Sequence, residues 1–187
     1  MATWPFRRRV PCHPWEEWVV FDSFGKARLS LDFEKVKICD PVGVMAIHVP
    51  KGYTHSLKSL TDISYLVIRN VSGYPIELKD MLKRRSSVQP IEREGHVIWP
   101  LFDQKKLALA YVEVTGKNIV NVEHYPFKHN VINEEKYHVR KGKGKVIIDN
   151  KELHLKKGDL VMVPHGSIHF LKKARGDPLE VLVITHG

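Results

Sequence analysis

The segment from Gly158 to His169 has the residue spacing that most directly suggests chemistry. Gly158 is followed after five residues by Pro164, then after one residue by Gly166 and after two more by His169. Glycine opens a tight turn, and a proline with a second glycine bends the chain after the apolar run 160–163. Such a bend would turn the imidazole of His169 into the interior of a β structure, where it could bind a metal.

This spacing is similar to the second sequence motif of the cupin family. The family's first motif is His-x-His, three or four residues, glutamate, six residues and glycine, and here His129, Glu135 and Gly142 match it. Val131 stands where the second histidine belongs, and Glu123 stands where a glycine is expected six residues before His129. The sequence thus resembles a cupin that lacks one of the four usual ligands.

The resemblance implies a metal site made of His129, Glu135 and His169. Alternate residues on a strand face the same way, so side chains from neighbouring strands can converge inside a barrel. Two imidazoles and a carboxylate suit a divalent metal such as Fe, Mn, Zn or Ni and leave positions for water, substrate or dioxygen. Water, or an amide oxygen of Asn130 or Asn133, would supply the fourth ligand.

Glu135 and Tyr137 are the candidate catalytic residues. Glu135 would serve as a ligand or as a general base. Tyr137 lies two residues further along the same predicted strand, so it shares the inward face with Glu135. We expect Tyr137 to line the pocket or to fill the core.

The C-terminal half predicts an all-β fold. From residue 107 onward, short apolar or alternating runs are separated by turn signals such as Asp149-Asn150. Strand spacings near ten residues favour a sandwich or barrel. The resemblance specifies a double-stranded β-helix, the jelly-roll barrel of cupins. The predicted strands are 107–114, 137–139, 146–148, 160–163 and 179–184.

The N-terminal part repeats this order of features. Pro50, Gly52 and His55 precede an apolar run at 65–68, just as Pro164, Gly166 and His169 precede the run at 179–184. We interpret the parallel as an internal duplication that gives two cupin-like repeats, a bicupin. Further strands are predicted at 18–21, 27–31 and 44–49.

The first repeat contains a second, less complete candidate metal set, consisting of His13, Glu17 and His55. It keeps the second histidine of the first motif and loses the first one. Phe24 stands where the motif glycine belongs, and Gly25 comes one position late.

The predicted domains are a degenerate N-terminal repeat at 1–75, a connector at 76–106 and a C-terminal cupin domain at 107–187. Apolar residues at helical spacing within Pro75 to Ser87 predict one short connecting helix.

Composition limits the remaining possibilities. Two cysteines are too few for a disulfide framework, and no apolar run is long enough to cross a bilayer or to follow the N-terminal arginines as a signal peptide. We therefore expect a cytoplasmic protein without a membrane partner. The net charge of +9 is dispersed and no nucleic-acid module is present, so nucleic-acid binding ranks last.

Two hypotheses about function stay open. The first is a metal-dependent enzyme, such as a dioxygenase, isomerase or lyase, acting on a small polar metabolite. The second is a non-catalytic cupin that binds or senses a small molecule. We also expect a homodimer, because apolar residues such as Ile98, Trp99 and Leu101 would need covering.

Overall fold

The computed structural model describes residues 15–21, 27–31, 34–36, 44–62, 64–70, 82–93, 95–104, 107–116, 120–121, 134–167 and 169–186. The chain divides into two compact units, Met1–Ser87 and Val88–Gly187. In the described residues both units are built from antiparallel β-strands. The same residues include no helix that is long and apolar enough to cross a membrane.

The first unit has two sheets. One has the strand order β6-β1-β4-β7 and the other has the order β3-β2-β5. The strands are β1 (Glu16–Phe21), β2 (Ala27–Leu31), β3 (Glu34–Val36), β4 (Met45–Val49), β5 (His55–Ser59), β6 (Tyr65–Asn70) and β7 (Leu82–Arg84).

The second unit also has two sheets, ordered β15-β12-β17-β10-β9-β8 and β11-β16-β13-β14. Its strands are β8 (Ile91–Arg93), β9 (His96–Gln104), β10 (Leu107–Val114), β11 (Val120–Asn121), β12 (Glu134–Lys141), β13 (Lys143–Ile148), β14 (Lys151–Lys156), β15 (Leu160–Val163), β16 (His169–Lys173) and β17 (Leu179–His186).

Strand pairing confirms the internal duplication. In the first unit β1 lies between β4 and β6, and β2 lies between β3 and β5. In the second unit β12 lies between β15 and β17, and β13 lies between β14 and β16. Strands β1 to β6 therefore correspond in order to β12 to β17. This arrangement is the double-stranded β-helix predicted from the sequence.

Each unit has its own apolar core. In the first unit Phe21, Met45 and Val49 belong to a buried cluster. In the second, a larger cluster includes Val146 and Leu179, both fully buried. Neighbouring strands contribute these residues from one face, so burying them fixes the register of the sheets.

Turns between the strands depend on residues that tolerate positive φ. Asp149 and Asn150 join β13 to β14 with φ values of 46° and 66°, as a two-residue type I′ hairpin requires. Gly142 has a φ of +78°, and a Cβ atom there would lie 2.3 Å from the carbonyl oxygen of Pro178. Glycine is therefore required at this motif position, because any other residue would have both a strained backbone and a clash with Pro178.

The predicted connecting helix is wrong for the part that the structure describes. Residues 75–81 lie outside the described residues, but Leu82–Arg84 is a strand and Arg85–Ser87 is a single 3-10 turn. The strand β7 pairs with β4, so Met45 lies opposite Arg84 and Ile47 lies opposite Leu82. Pairing with a sheet edge overrides the helical spacing of the apolar residues.

Two of the three apolar residues that suggested a dimer are buried within one chain, whereas Trp99 is half-buried. Ile98 and Leu101 are 6% and 2% exposed within one chain. Among the described residues of the second unit, the large exposed apolar side chains are instead Leu153, Leu160 and Met162. The homodimer stays a prediction, and Ile98 and Leu101 do not support it.

A buried polar pair lies on β1 and β4. The Nε2 atom of His48 is 3.2 Å from Oε2 of Glu16, and both side chains are at most 1% exposed. The imidazole also stacks on Trp18, with the ring centroids 4.6 Å apart. Burial lowers the pKa of His48 from 6.5 to about 4. His48 is therefore neutral at pH 7 and can donate a hydrogen bond to Glu16 through Nε2.

We predict that acid destabilises the first unit through His48. An imidazole whose pKa is depressed on folding supports stability above pH 6.5, and that support is lost as the pH falls toward 4. The expected loss between pH 7 and pH 5 is about 2 kcal/mol. His48→Gln keeps an N–H donor and does not titrate, so its stability should fall less over this interval.

Urea unfolding followed by tryptophan fluorescence measures the loss, because Trp18 stacks on His48. His154→Gln, at a side chain that is 89% exposed, is the matched control. An equal loss of stability in the wild type and His48→Gln would contradict the prediction.

Candidate metal centre

The second unit brings Glu135 and His169 together. Glu135 lies on β12 and His169 is the first residue of β16. The Nε2 atom of His169 is 3.3 Å from Oε2 of Glu135, and the two side chains are 1% and 16% exposed. A carboxylate and an imidazole thus meet in a largely dry part of the unit.

The turn before β16 directs His169 toward Glu135. The amide of Ser167 donates to the carbonyl of Pro164 over 3.2 Å, and Gly166 has a φ of +74°. Glycine with positive φ at the third position is what a type II turn requires. The proline and glycine of the sequence motif therefore set the direction from which the histidine enters the unit.

A backbone carbonyl fixes the orientation of the imidazole. Nδ1 of His169 lies 3.0 Å from the carbonyl oxygen of Ser167, which can only accept a hydrogen bond. Nδ1 must therefore carry a proton, and Nε2 is the ring nitrogen that faces Glu135. Metal-binding histidines are held in this way by a second acceptor.

Tyr137 also contacts the carboxylate. Its hydroxyl donates to Oε2 of Glu135 over 2.7 Å, and its ring lies 5.8 Å from that of His169. Tyr137 is 1% exposed. Burial, followed by the neighbouring Glu135 carboxylate, raises the pKa of Tyr137 well above 10. The phenol therefore stays protonated and acts as a hydrogen-bond donor.

The charge of His169 depends on two opposing effects. Burial lowers its pKa, whereas the Glu135 carboxylate, the Ser167 carbonyl and the charge of Asp149 raise it, and together these outweigh burial. The net pKa is above 6.5. Without a metal, a proton on Nε2 therefore stabilises the contact with Glu135.

The geometry also suits a shared metal ion. Two ligand atoms that are each about 2.1 Å from one ion, at right-angled to tetrahedral angles, lie about 3.0–3.4 Å apart. The 3.3 Å between His169 Nε2 and Glu135 Oε2 falls within this interval. A divalent cation could therefore replace the proton with little rearrangement.

The third predicted ligand, His129, lies outside the described residues, as do Asn130 and Asn133. Among the residues that are described, no group of three or more histidine, cysteine or acidic side chains forms a complete metal site. The described part of the predicted site is therefore Glu135, Tyr137 and His169.

The first unit places Glu17 and His55 in the corresponding contact. Nε2 of His55 lies 3.0 Å from Oε2 of Glu17. His13, the third member of this predicted set, lies outside the described residues. The preceding turn is also repeated, because Tyr53 donates to the Pro50 carbonyl and Gly52 has a φ of +88°.

Sequence reasoning missed two residues at Glu17. Arg69 Nε lies 2.7 Å from Oε1 of Glu17, and Trp15 Nε1 donates to the same oxygen over 3.1 Å. Arg69 lies one residue beyond the predicted strand 65–68, and its pairing with Glu17 depends on the register between β6 and β1. Aligning the two repeats at their strands could have placed Arg69 opposite Glu17.

Comparison with known proteins agrees with this fold. A family model described as the cupin domain matches residues 123–185. An uncharacterized protein from Methanocaldococcus jannaschii is 26% identical over 119 residues, covering 59% of this chain and 90% of that protein. The residues matched by the cupin domain model include Glu135 and His169.

Solved structures resemble the whole chain. An oxalate decarboxylase structure has a TM-score of 0.71 at 18% identity, covering 96% of this chain and 65% of that chain. The oxalate decarboxylase from Lactobacillus farciminis gives 0.71 at 14% identity, covering 96% and 73%. This chain thus spans about two thirds of the length of the first of these proteins. Such identities show a shared fold, and within that fold residues 123–185 match the cupin domain model.

We predict that Glu135 is the main reason for the raised pKa of His169. In chelator-treated protein, Glu135→Gln should lower this pKa, because the carboxylate is lost and burial remains. A pKa raised on folding supports stability below pH 6.5, and that support disappears as the pH rises through the folded value. The stability advantage of wild type over Glu135→Gln should therefore be largest below pH 6.5.

Histidine NMR titration measures the pKa, and urea unfolding measures the stability. Glu152→Gln, at an exposed carboxylate on β14, is the control. An unchanged His169 pKa in Glu135→Gln would show that the carboxylate does not control it.

Proposed function

We propose that the C-terminal repeat binds a divalent metal through Glu135 and His169, with His129 as the third protein ligand, and that the protein is a metal-dependent enzyme. The 3.3 Å contact between the imidazole and the carboxylate carries this proposal. Fe, Mn, Zn and Ni all accept this mixture of nitrogen and oxygen ligands. When bound, the ion would polarise a substrate oxygen or activate dioxygen.

Two neighbouring groups would hold His169 and Glu135 in the orientation that metal binding requires. The Ser167 carbonyl holds Nδ1 of His169, so Nε2 keeps its direction. The Tyr137 hydroxyl holds Oε2 of Glu135 and restricts rotation of the carboxylate. Partners of this kind usually change metal affinity by about 10- to 100-fold when they are removed.

We propose a small polar metabolite as the substrate. Glu135 is the described acidic group at the site, and its carboxylate would serve as a ligand or accept a proton from the substrate. Tyr137 would donate a hydrogen bond, because its pKa is far above neutrality. A dioxygenase, isomerase or lyase would each be consistent with these groups. The likeness to oxalate decarboxylases supports small carboxylates as the first substrates to test.

We predict that the wild-type protein, stripped with chelator and dialysed against Mn²⁺ or Zn²⁺, retains about one metal ion per chain. His169→Ala should reduce this to less than about a tenth, because it removes one of the ligands. Elemental analysis measures the stoichiometry. His154→Ala removes an exposed histidine and is the control for non-specific binding.

Less than about a tenth of an equivalent in the wild type, unchanged by His169→Ala, would remove the metal site. The same pair of proteins also tests the pH dependence. Protons and metal ions compete for Nε2, so the affinity should increase with pH through the raised pKa of His169.

The alternative is a binding or sensor protein without catalysis. This alternative is favoured because the described residues give only one glutamate and one histidine in each repeat as candidate ligands. In addition, the fold does not by itself define an activity. Thermal shift with small metabolites separates the two proposals. Stabilisation of metal-stripped protein by metabolites, with no turnover after metal loading, would favour the binding protein.

A further inference from the structure

The two repeats differ at one position opposite the site glutamate. Glu17 pairs in register with Val49 on one side and Arg69 on the other. Glu135 pairs with Val163 on one side and Thr185 on the other. Arg69 and Thr185 therefore occupy equivalent places on β6 and β17. One repeat has a permanent cation there and the other has a neutral hydroxyl.

Arg69 is held against Glu17 by more than one contact. Its Nε lies 2.7 Å from Oε1 of Glu17. Its guanidinium also lies over the ring of Trp15, 5.5 Å from the centroid, and the indole donates to the same carboxylate oxygen. Such stacking favours arginine over a more strongly hydrated lysine. These contacts hold the guanidinium in one position beside Glu17, although the arginine side chain is 63% exposed.

The Glu17 carboxylate is consequently engaged on both oxygens. Oε1 accepts from Arg69 and Trp15, and Oε2 lies 3.0 Å from His55 Nε2. The carboxylate itself is 5% exposed. A metal ion at this place would have to displace a donor and would be repelled by the guanidinium. These residues do not fit a divalent cation as the second repeat does.

We propose that Arg69 closes the N-terminal repeat to divalent metals, so that the protein binds metal in the C-terminal repeat alone. The guanidinium is a built-in cation that neutralises Glu17, and the residue at this register position decides which repeat accepts a metal. The assignment of the C-terminal repeat rests on the proposed function. The closure of the N-terminal repeat rests on the contacts of Arg69.

The test uses the full chain with His169→Ala as the parent, which removes the proposed C-terminal site. After chelation and dialysis against Zn²⁺, the parent should retain less than about a tenth of an equivalent. Adding Arg69→Thr, which installs the residue type of the other repeat, should raise the retained Zn²⁺ clearly above that of the parent, because Glu17 and His55 become available as ligands. Zn²⁺ should then also raise the thermal midpoint.

Two further variants separate the role of the charge from a loss of packing. Arg69→Lys keeps a cation and should add no metal, whereas Arg69→Gln keeps a polar side chain and should behave like Arg69→Thr. Arg28→Thr, at an exposed arginine on β2, is the matched control and should add none. Circular dichroism verifies that each variant folds. If a substitution prevents folding in the His169→Ala parent, the same substitution is tested in the wild-type chain.

The outcomes are distinguishable. If Arg69→Thr and Arg69→Gln add no metal, Arg69 does not close the repeat and the inference is wrong. If the parent itself binds Zn²⁺ and loses it with His55→Ala, the N-terminal site is open and the inference is also wrong. If instead His169→Ala binds as much metal as the wild type, the proposed function fails, while the gain with Arg69→Thr still decides the role of Arg69.

Discussion

The contact between the Glu135 carboxylate and the His169 imidazole is the constraint on which the candidate site depends. It joins β12 to β16, two strands that belong to different sheets of the second unit. A largely buried carboxylate such as that of Glu135 requires a positive charge beside it, because an unpaired buried ion is costly. In the metal-free protein a proton on Nε2 supplies this charge below the raised pKa of His169, and a divalent cation would supply it with nearly the same spacing.

The two repeats show how one strand arrangement accommodates that charge in different ways. Both units place a glutamate on corresponding strands, β1 and β12, and a histidine after a proline-glycine turn. In the N-terminal repeat Arg69 supplies the positive charge from β6. In the C-terminal repeat a threonine stands at that place and Tyr137 donates to the glutamate instead. Duplication therefore preserved the arrangement of strands while the partners of the glutamate changed.

The sequence predicted the all-β fold and the duplication because turn residues and apolar runs are local signals. The runs at 107–114 and 160–163 became strands with the predicted bounds. Polar strands such as Lys151–Lys156 were not predicted, because their exposed faces give little hydrophobic signal. The predicted helix failed because pairing with β4 is a long-range interaction. For the same reason the partners Arg69 and Ser167 could be found only from register and turn geometry.

Anomalous diffraction from crystals of the manganese-loaded protein would test the central claim most directly. A peak within about 2.0–2.3 Å of both His169 Nε2 and a Glu135 carboxylate oxygen is the expected result. Density at Glu135 and His169 that shows the two side chains in direct contact, with manganese found only at surface histidines, would contradict it.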